Sequence, residues 1–410
     1  MTRRQGGFSL VELMITMVIF VFVIASVSQI FVGLLSQFKQ QSKVAETNIE
    51  GIVGLNMLRR DMEHAGYGLP WNLSGAAYQE ALNTPSPAVS GITAQNDESF
   101  NDGPPNNPAR GAEAAGLSHP PGAFRSGDGV GFNGSDVLVI KAVNVALSDA
   151  SQKWTYIITG NTAKEWDQPR ERMETSDRAI VINFFGGTRT LVSSGGTFTA
   201  RYVRNNPYLD VNPDSLSDAG FAPPDETEQR IVYGVAEPGS PVTTALRMPF
   251  NRADYYIRQS GVIPVRCAAN TGILYKAVLT QAGALGPEMP LLDCVADMQV
   301  IYRRDTDGDG DIDTSDTDIS GLTSEQIRTT LRDVRVYILT HEGQRDPRFT
   351  FTNLVTCTAG PNAGNNVCVR VSDSANASWG RDFDLTTITD YEQYRWKVYT
   401  LAVQPFLNLR

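Results

Sequence analysis

The amino terminus constrains this chain more than any other feature: from Phe8 to Leu35 it is apolar apart from Glu12 and scattered Ser, Thr and Gln. Read as a helix, such a stretch spans a bilayer, since about 20 apolar residues cross a hydrocarbon core about 30 Å thick. The seven residues before it, MTRRQGG, are short and basic. Arg3 and Arg4 predict that this leader stays on the cytoplasmic side of the inner membrane and that everything after residue 40 is translocated. An ordinary secretory signal places its small-residue cleavage site after the apolar region. Here Gly6 and Gly7 come before it, so a cut between Gly7 and Phe8 leaves the hydrophobic helix on the mature protein.

Residues 7–15, G-F-S-L-V-E-L-M-I, resemble the prepilin peptidase site of type IV pilins and of type II secretion pseudopilins. Gly stands just before the cut, Phe at the new terminus and Glu at the fifth mature position, with an apolar helix following. The resemblance implies cleavage after Gly7 by a prepilin peptidase, N-methylation of Phe8 and delivery to an assembly platform. Glu12 then has a specific physical meaning. An unpaired carboxylate within a membrane helix costs roughly 2.5–3.5 kcal/mol on insertion scales, so it needs a cationic partner. The resemblance supplies the amine of Phe8 on a neighbouring subunit, a pairing that sets the axial register between helices. The competing reading is that Glu12 snorkels to the cytoplasmic interface.

Beyond the membrane, Ile49, Ile52, Val53, Leu55, Leu58, Met62 and Ala65 recur at spacings of three and four, predicting an amphipathic carboxyl half for the same helix. No proline interrupts it before Pro70, and Gly66 and Gly68 supply a stop. The expectation is one helix of roughly 55 residues: residues 8–35 in the membrane or filament core, residues 36–65 against a globular head. Residues 66–134 are rich in Gly, Pro, Asn, Ala and Ser and read as a long, mobile surface segment. Within it Gly129, Gly131 and Gly134 form a G-x-G-x-x-G, but the motif leads into a strand-like run instead of following one, against a dinucleotide site.

From residue 135 to 410 the period is that of strands. VLVIKAV (137–143), WTYII (154–158), AIVINFF (179–185), FTARYV (198–203), RIVYGVA (230–236), ILYKAVL (273–279), VADMQVIY (295–302), DVRVYIL (333–339) and RWKVYTLAV (395–403) are rich in β-branched and aromatic residues, with turn-type residues between them. The fold class expected is α+β, a long amino-terminal helix packed on a large, mainly antiparallel sheet, with a short helix near residues 324–331.

Residues 305–316, DTDGDGDIDTSD, place Asp305, Asp307, Asp309, Asp311 and Asp313 at alternate positions with Gly310 sixth, the ligand spacing of an EF-hand loop. Alternate carboxylates in a tight turn converge on one centre, which suits Ca²⁺. Asp316 stands at the twelfth position in place of the usual Glu, and the flank before the loop (305–318) reads as a strand, so an isolated loop is expected and not a helix pair. The other reading is a solvated acidic turn, which would leave five carboxylates within nine residues repelling one another.

The four cysteines, Cys267, Cys294, Cys357 and Cys368, form no C-x-x-C pair, and on the far side of a membrane they suggest disulfides. Three connectivities exist. The nearest-neighbour pairs close the shortest loops, each contributing roughly 3 kcal/mol by chain entropy. A net charge of -10 disfavours nucleic acid. His64, His119 and His341 fall in no metal or catalytic signature, and neither a Walker A sequence nor G-x-S-x-G occurs, so no enzyme activity and no catalytic residues are expected.

P-L-L-D-C-V-A-D-M-Q-V-I-Y with the acidic loop, RIVYGV, Tyr255–Ile257 and ILYKA together resemble the PilW group of minor pilins. That resemblance implies a subunit of the type IV pilus whose partners are other minor pilins, the major pilin and a tip adhesin. A head of nearly 350 residues and the unbroken helix favour the priming complex or the tip over the shaft. Two other readings stay open: a type II secretion pseudopilin, and a pilin-anchored binding or enzymatic domain.

Overall fold

The computed structural model describes residues 9–81, 100–102, 119–158, 160–210, 219–259, 263–372 and 379–406. Helix α1 runs unbroken over Leu10–Glu63, 54 residues. Its segment Leu10–Leu35 is long and apolar enough to cross a membrane, and none of its surface is covered by the rest of the chain. At the other end the His64 N–H closes the last turn on the Arg60 carbonyl. Gly66 then reverses the chain at φ +82°, a left-handed conformation that favours glycine, and its N–H bonds Lys141 O at 2.9 Å.

The carboxyl part of α1 packs on an antiparallel sheet ordered β1 (Phe124–Gly127), β2 (Val137–Ala142), β10 (Asn251–Arg258), β11 (Gly272–Leu279), β12 (Leu285–Arg304), β14 (Leu331–Glu342) and β17 (Arg395–Val403), with β13 (Thr314–Asp316) paired to the end of β12. This is the α+β arrangement expected. The short helix also forms, as α2 (Ser324–Thr330), started by a capping box in which Thr323 and Gln326 bond each other's backbone N–H.

The buried stripe of α1 differs from the one the hydrophobic spacing predicts. Leu55, Leu58, Met62 and Ala65 are buried, but Ile52 and Val53 are 54% and 64% exposed. Gly51, Gly54 and Asp61 are buried instead. The helix lies so close to β12 that a Cβ on Gly54 would sit 2.0 Å from Leu291 O, so only glycine fits there. Asp61 reaches in to ion-pair with Lys276, and the Tyr255 hydroxyl also donates to it. A hydrophobicity count misses both residues because neither is apolar. The side chain of Ile49 lies outside the described residues.

A second departure concerns the head. Between β2 and β10 the chain forms its own sheet, with β3 (Trp154–Ile158), β4 (Thr162–Ala163), β5 (Arg178–Asn183), β6 (Thr190–Leu191), β7 (Ala200–Val203), β8 (Tyr208–Asp210) and β9 (Arg230–Ala236). The path β5-β7-β8-β4-β3-β9 closes when β9 also pairs with β5, giving a small barrel with β6 attached to β5. Ile157, Val181, Tyr202, Leu209, Phe221 and Val232 fill it. Closure removes the free edges that a short open sheet would expose.

The third departure is in residues 66–134. Where described, this stretch is partly built into the core: Leu69, Leu73 and Tyr78 join the main hydrophobic cluster, and Phe124 opens β1, while Asn72, Ser74, Gly75, Asp128, Gly129 and Val130 stay exposed. Its charges are buried with partners. Lys141 of β2 lies 2.7 Å from Glu80 and 3.0 Å from Asp102, and Asp102 accepts from Arg125 Nε at 2.6 Å. Few aliphatics are needed to hold a segment tied down this way. Residues 82–99 and 103–118, the rest of the expected surface segment, lie outside the described residues.

Both faces of the central sheet are therefore covered, which is why β2 reads as a continuous buried run. On the face away from α1, near β14 and β17, the hairpin β15 (Cys368–Val371) and β16 (Arg381–Asp384) contributes Val369, Val371 and Phe383 to a second cluster with Tyr337, Leu339 and Trp396. Two disulfides, Cys267–Cys294 and Cys357–Cys368, are the nearest-neighbour pairs.

Candidate functional site

The leader residues Gly7 and Phe8 lie outside the described residues. Glu12 stands exposed in the first turn of α1, the one charged group in a membrane-length segment that is otherwise apolar apart from scattered Ser, Thr and Gln. The first-turn N–H groups of a helix lack intrahelical acceptors and carry partial positive charge, so a carboxylate there is favoured by about 0.3–1 kcal/mol. That is far less than the insertion cost of the same carboxylate, so the turn itself does not remove the need for a cation. The rest of the segment is an apolar rod with no cover of its own. A chain carrying 26 such residues requires lipid or the helices of other subunits around them.

The acidic loop sits at the tip of the β12–β13 hairpin; the strand before it is the one the sequence predicts, and β13 follows it. Gly308 and Gly310, at φ +82° and +99°, permit the tight turn. Carboxylate oxygens of Asp305, Asp307 and Asp313 lie within 4.8 Å of one another. Asp309, Asp311 and Asp316 do not join them. Asp309 accepts the Asp311 N–H at 2.8 Å, and Asp316, at the end of β13, is held by Arg304 at 2.6 Å. The twelfth residue of the loop is thus spent on an ion pair across the hairpin, because strand pairing of Tyr302 with Asp316 puts Arg304 within reach.

Asp305 is buried, and it accepts from the N–H groups of Gly308 and Gly310 at 2.6 and 3.2 Å and from Arg332 Nη2 at 2.8 Å. Burial raises its carboxyl, but Arg332 and the two N–H donors outweigh that and hold it below the usual carboxylate range. It is ionised at neutral pH. Asp313 is likewise held low, by Thr314, by Thr306 and by the Thr306 N–H. Three hard anionic oxygens on a glycine-permitted turn form a donor set that fits a calcium-sized cation on its solvent side, with Arg332 on the other.

The remaining sequence candidates have structural places. The Asp136 carboxylate accepts the N–H groups of Gly129 and Val300 at 2.9 and 2.7 Å, so the glycine motif is a turn pinned ahead of β2. Burial pushes that carboxyl up to about 8, against the two donors. His341 is fully buried beside Tyr394 and Trp396, and its Nε2 accepts the Ala268 N–H at 2.9 Å. Burial drops its pKa to about 3, so it is neutral. His64 caps α1, and the His119 carbonyl accepts from the Tyr78 hydroxyl.

Sequence reasoning missed the Asp61–Lys276–Tyr255 group that fixes the helix to the head. The only signal was a lone Asp on the apolar side of the helical pattern and a Lys within ILYKAVL.

Residues 2–28 match the family model described as the prokaryotic N-terminal methylation motif. No curated protein and no solved structure matches the chain. A leader of this class implies processing by a prepilin peptidase and entry into a pilus-type assembly system, and the helix behind it is an anchor of membrane length. The amino terminus therefore carries the methylation motif of type IV pilin-like proteins and pseudopilins, followed by a helix long and apolar enough to cross a membrane.

Proposed function

We propose that this chain is a minor pilin of the PilW type, cut after Gly7, N-methylated at Phe8 and built into the priming complex or tip of a type IV pilus. The observation that carries this reading is the methylation motif on an unbroken 54-residue helix whose first 26 residues have no cover within the chain. Ile52 and Val53, exposed where α1 has already joined the head, extend the apolar surface towards neighbouring subunits. The bulk supports a rare position: the inserted barrel widens the head beyond what a thin repeating shaft would accommodate. Its partners are then other minor pilins, the major pilin, the assembly platform and a tip adhesin, and its role is assembly and not catalysis.

Mass spectrometry of sheared pili tests processing and incorporation together. The expected result is a peptide that begins with methylated Phe8. Glu12→Leu is expected to leave the protein in the membrane fraction and lower its amount in pili at least about tenfold, since a register contact of about 1.4 kcal/mol or more is lost. An intact leader in all material, or Glu12→Leu entering pili at the unsubstituted level, would overturn the reading. Recovery of the methylated protein only in a secretion complex would favour the pseudopilin reading instead.

The acidic loop is proposed to hold Ca²⁺ on Asp305, Asp307 and Asp313. Sites facing an extracellular medium need only about 10⁻⁴–10⁻³ M affinity, and at 100 times Kd the bound ion stabilises by about 2.7 kcal/mol. Thermal melting with CaCl₂ is expected to show a rise of several degrees that Asp307→Asn with Asp313→Asn removes. These two carboxylates are exposed and make only local contacts, so the substitutions spare the Arg332 pair. An unchanged Tm at 100 mM CaCl₂, a level about a hundredfold above the weaker affinity, rejects the site.

A further inference from the structure

The outer wall of the inserted barrel carries an aromatic ridge that the filament reading does not use. Along β3 the burial alternates, with Thr155 and Ile157 inward and Trp154, Tyr156 and Ile158 outward. Those three are 40%, 37% and 45% exposed. A solvated strand face normally carries polar residues; this one carries an indole, a phenol and a sec-butyl side chain at two-residue steps, about 6.6 Å apart. Beside them Trp166, itself half-buried, stands across the row. Its ring meets Trp154 at 5.1 Å and 64° and Tyr156 at 6.0 Å and 72°. The result is a corner in which the Trp166 ring stands at a steep angle to both rings of the row.

The corner is fixed in place. Trp166 Nε1 donates to the Trp154 carbonyl at 2.7 Å. The Arg172 guanidinium holds the loop that presents it, donating to the carbonyls of Trp166 and Asp167. Arg172 and Arg204 both approach Glu165, at 3.8 and 3.9 Å, and Arg204 also pairs with Glu174 at 2.7 Å. Fixed donors and acceptors thus border the rings.

The size and the charge of this surface select its ligand. An aromatic side chain presents about 150–250 Å², so rings two-fifths exposed together with Ile158 offer about 300 Å², well under the roughly 800 Å² per partner of a stable protein interface. The Arg172 and Arg204 guanidiniums are matched by the Glu165 and Glu174 carboxylates, so the border carries no net charge to hold a strongly charged ligand, and the chain's net charge of -10 opposes nucleic acid. A sugar ring suits what remains. Its C–H face is weakly positive and lies on the negative face of an aromatic ring, while its hydroxyls pair with the carboxylates and guanidiniums around the edge.

We propose that Trp154, Tyr156 and Trp166 on the inserted barrel form a saccharide-binding platform. The inference does not depend on the filament reading, because the barrel would bind sugar whether the chain sits in a pilus or a secretion complex.

The test uses the full-length protein in a detergent without a sugar headgroup, titrated with cellohexaose, maltohexaose and chitohexaose while tryptophan fluorescence is followed. A saturable change with at least one hexasaccharide is expected. Trp154→Ala and Tyr156→Ala are expected to weaken it about tenfold with the far-ultraviolet circular dichroism unchanged, since neither side chain belongs to the barrel core. Trp166→Phe keeps a ring but loses the bond to the Trp154 carbonyl, and is expected to weaken binding about threefold. No saturable response to any of the three sugars overturns the proposal, as does an affinity that Trp154→Ala leaves unchanged. Sugar-independent self-association that Trp154→Ala abolishes, read by sedimentation, would make the ridge a protein interface and overturn it as well.

Discussion

Asp61→Ala is expected to lower the stability of the protein by about 3–5 kcal/mol, the usual cost of removing one partner of a buried ion pair. Lys276 is almost fully buried on β11, and Asp61 supplies its opposing charge while also accepting from the Tyr255 hydroxyl. Alanine leaves an ammonium in an apolar layer between helix and sheet, and that ammonium must either lose its proton or draw in water. The cost is therefore mainly the stranded charge, not the lost attraction. Asp61→Leu combined with Lys276→Met removes both charges, and is expected to recover most of the loss because an apolar pair of similar volume is often neutral. Chemical denaturation of the full-length protein in detergent, read as a four-member cycle, checks this. An Asp61→Ala cost below about 1 kcal/mol, within the range of an exposed pair, would show that the contact does not anchor the helix.

Gly54→Ala and Gly51→Ala, three residues apart on the same helix face, are expected to behave oppositely. A Cβ at Gly54 meets backbone atoms of Leu291, the carbonyl oxygen at 2.0 Å and the carbonyl carbon at 2.7 Å, and a strand backbone cannot step aside alone. The helix must lift from β12, at a cost of about 2–4 kcal/mol after allowing for the roughly 1 kcal/mol by which alanine favours helix over glycine. At Gly51 the nearest atom is Leu292 Cδ1 at 2.9 Å, the far end of a flexible side chain. There the propensity gain offsets the crowding, and the change is expected to stay within about 0.5 kcal/mol of neutral. The thermal melting midpoints of the two variants check the contrast. Equal destabilisation would mean that β12 does not approach the helix as closely as described.

The strands illustrate what local pattern conveys. WTYII, RIVYGVA and RWKVYTLAV form strands with the bounds their composition predicts, because side-chain shape and period act within a few residues. The partners of those strands do not follow from the same pattern. WTYII and RIVYGVA belong to the barrel while RWKVYTLAV ends the central sheet, and nothing in their composition separates them. Strand β10, from Asn251 to Arg258, is masked in sequence by Asn, Arg and Asp, whose charges are satisfied only in three dimensions by Arg252–Asp254 and their neighbours. The acidic loop is a mixed case: its glycines and alternate carboxylates were legible, but the diversion of Asp316 to Arg304 depends on the register of β13 against β12.

The amino terminus is where sequence was sufficient. An apolar run of membrane length, a basic leader ending in glycine and a carboxylate at a fixed offset are local chemistry, and their meaning follows from the cost of burying charge and exposing apolar surface in a bilayer. The disulfide pairs followed the shorter loops for a related reason, since short closure is the less costly in entropy. Tertiary structure alone decided the rest: which face of α1 meets the head, that Asp61 is buried there, that Leu69, Leu73 and Tyr78 join the core, and that β3–β9 form a separate barrel. Each of these turns on a group whose free energy depends on a partner far away in the chain, a lysine for Asp61, a strand backbone for Gly54, a second strand for β9. A single sequence lists such groups without saying which of them meet.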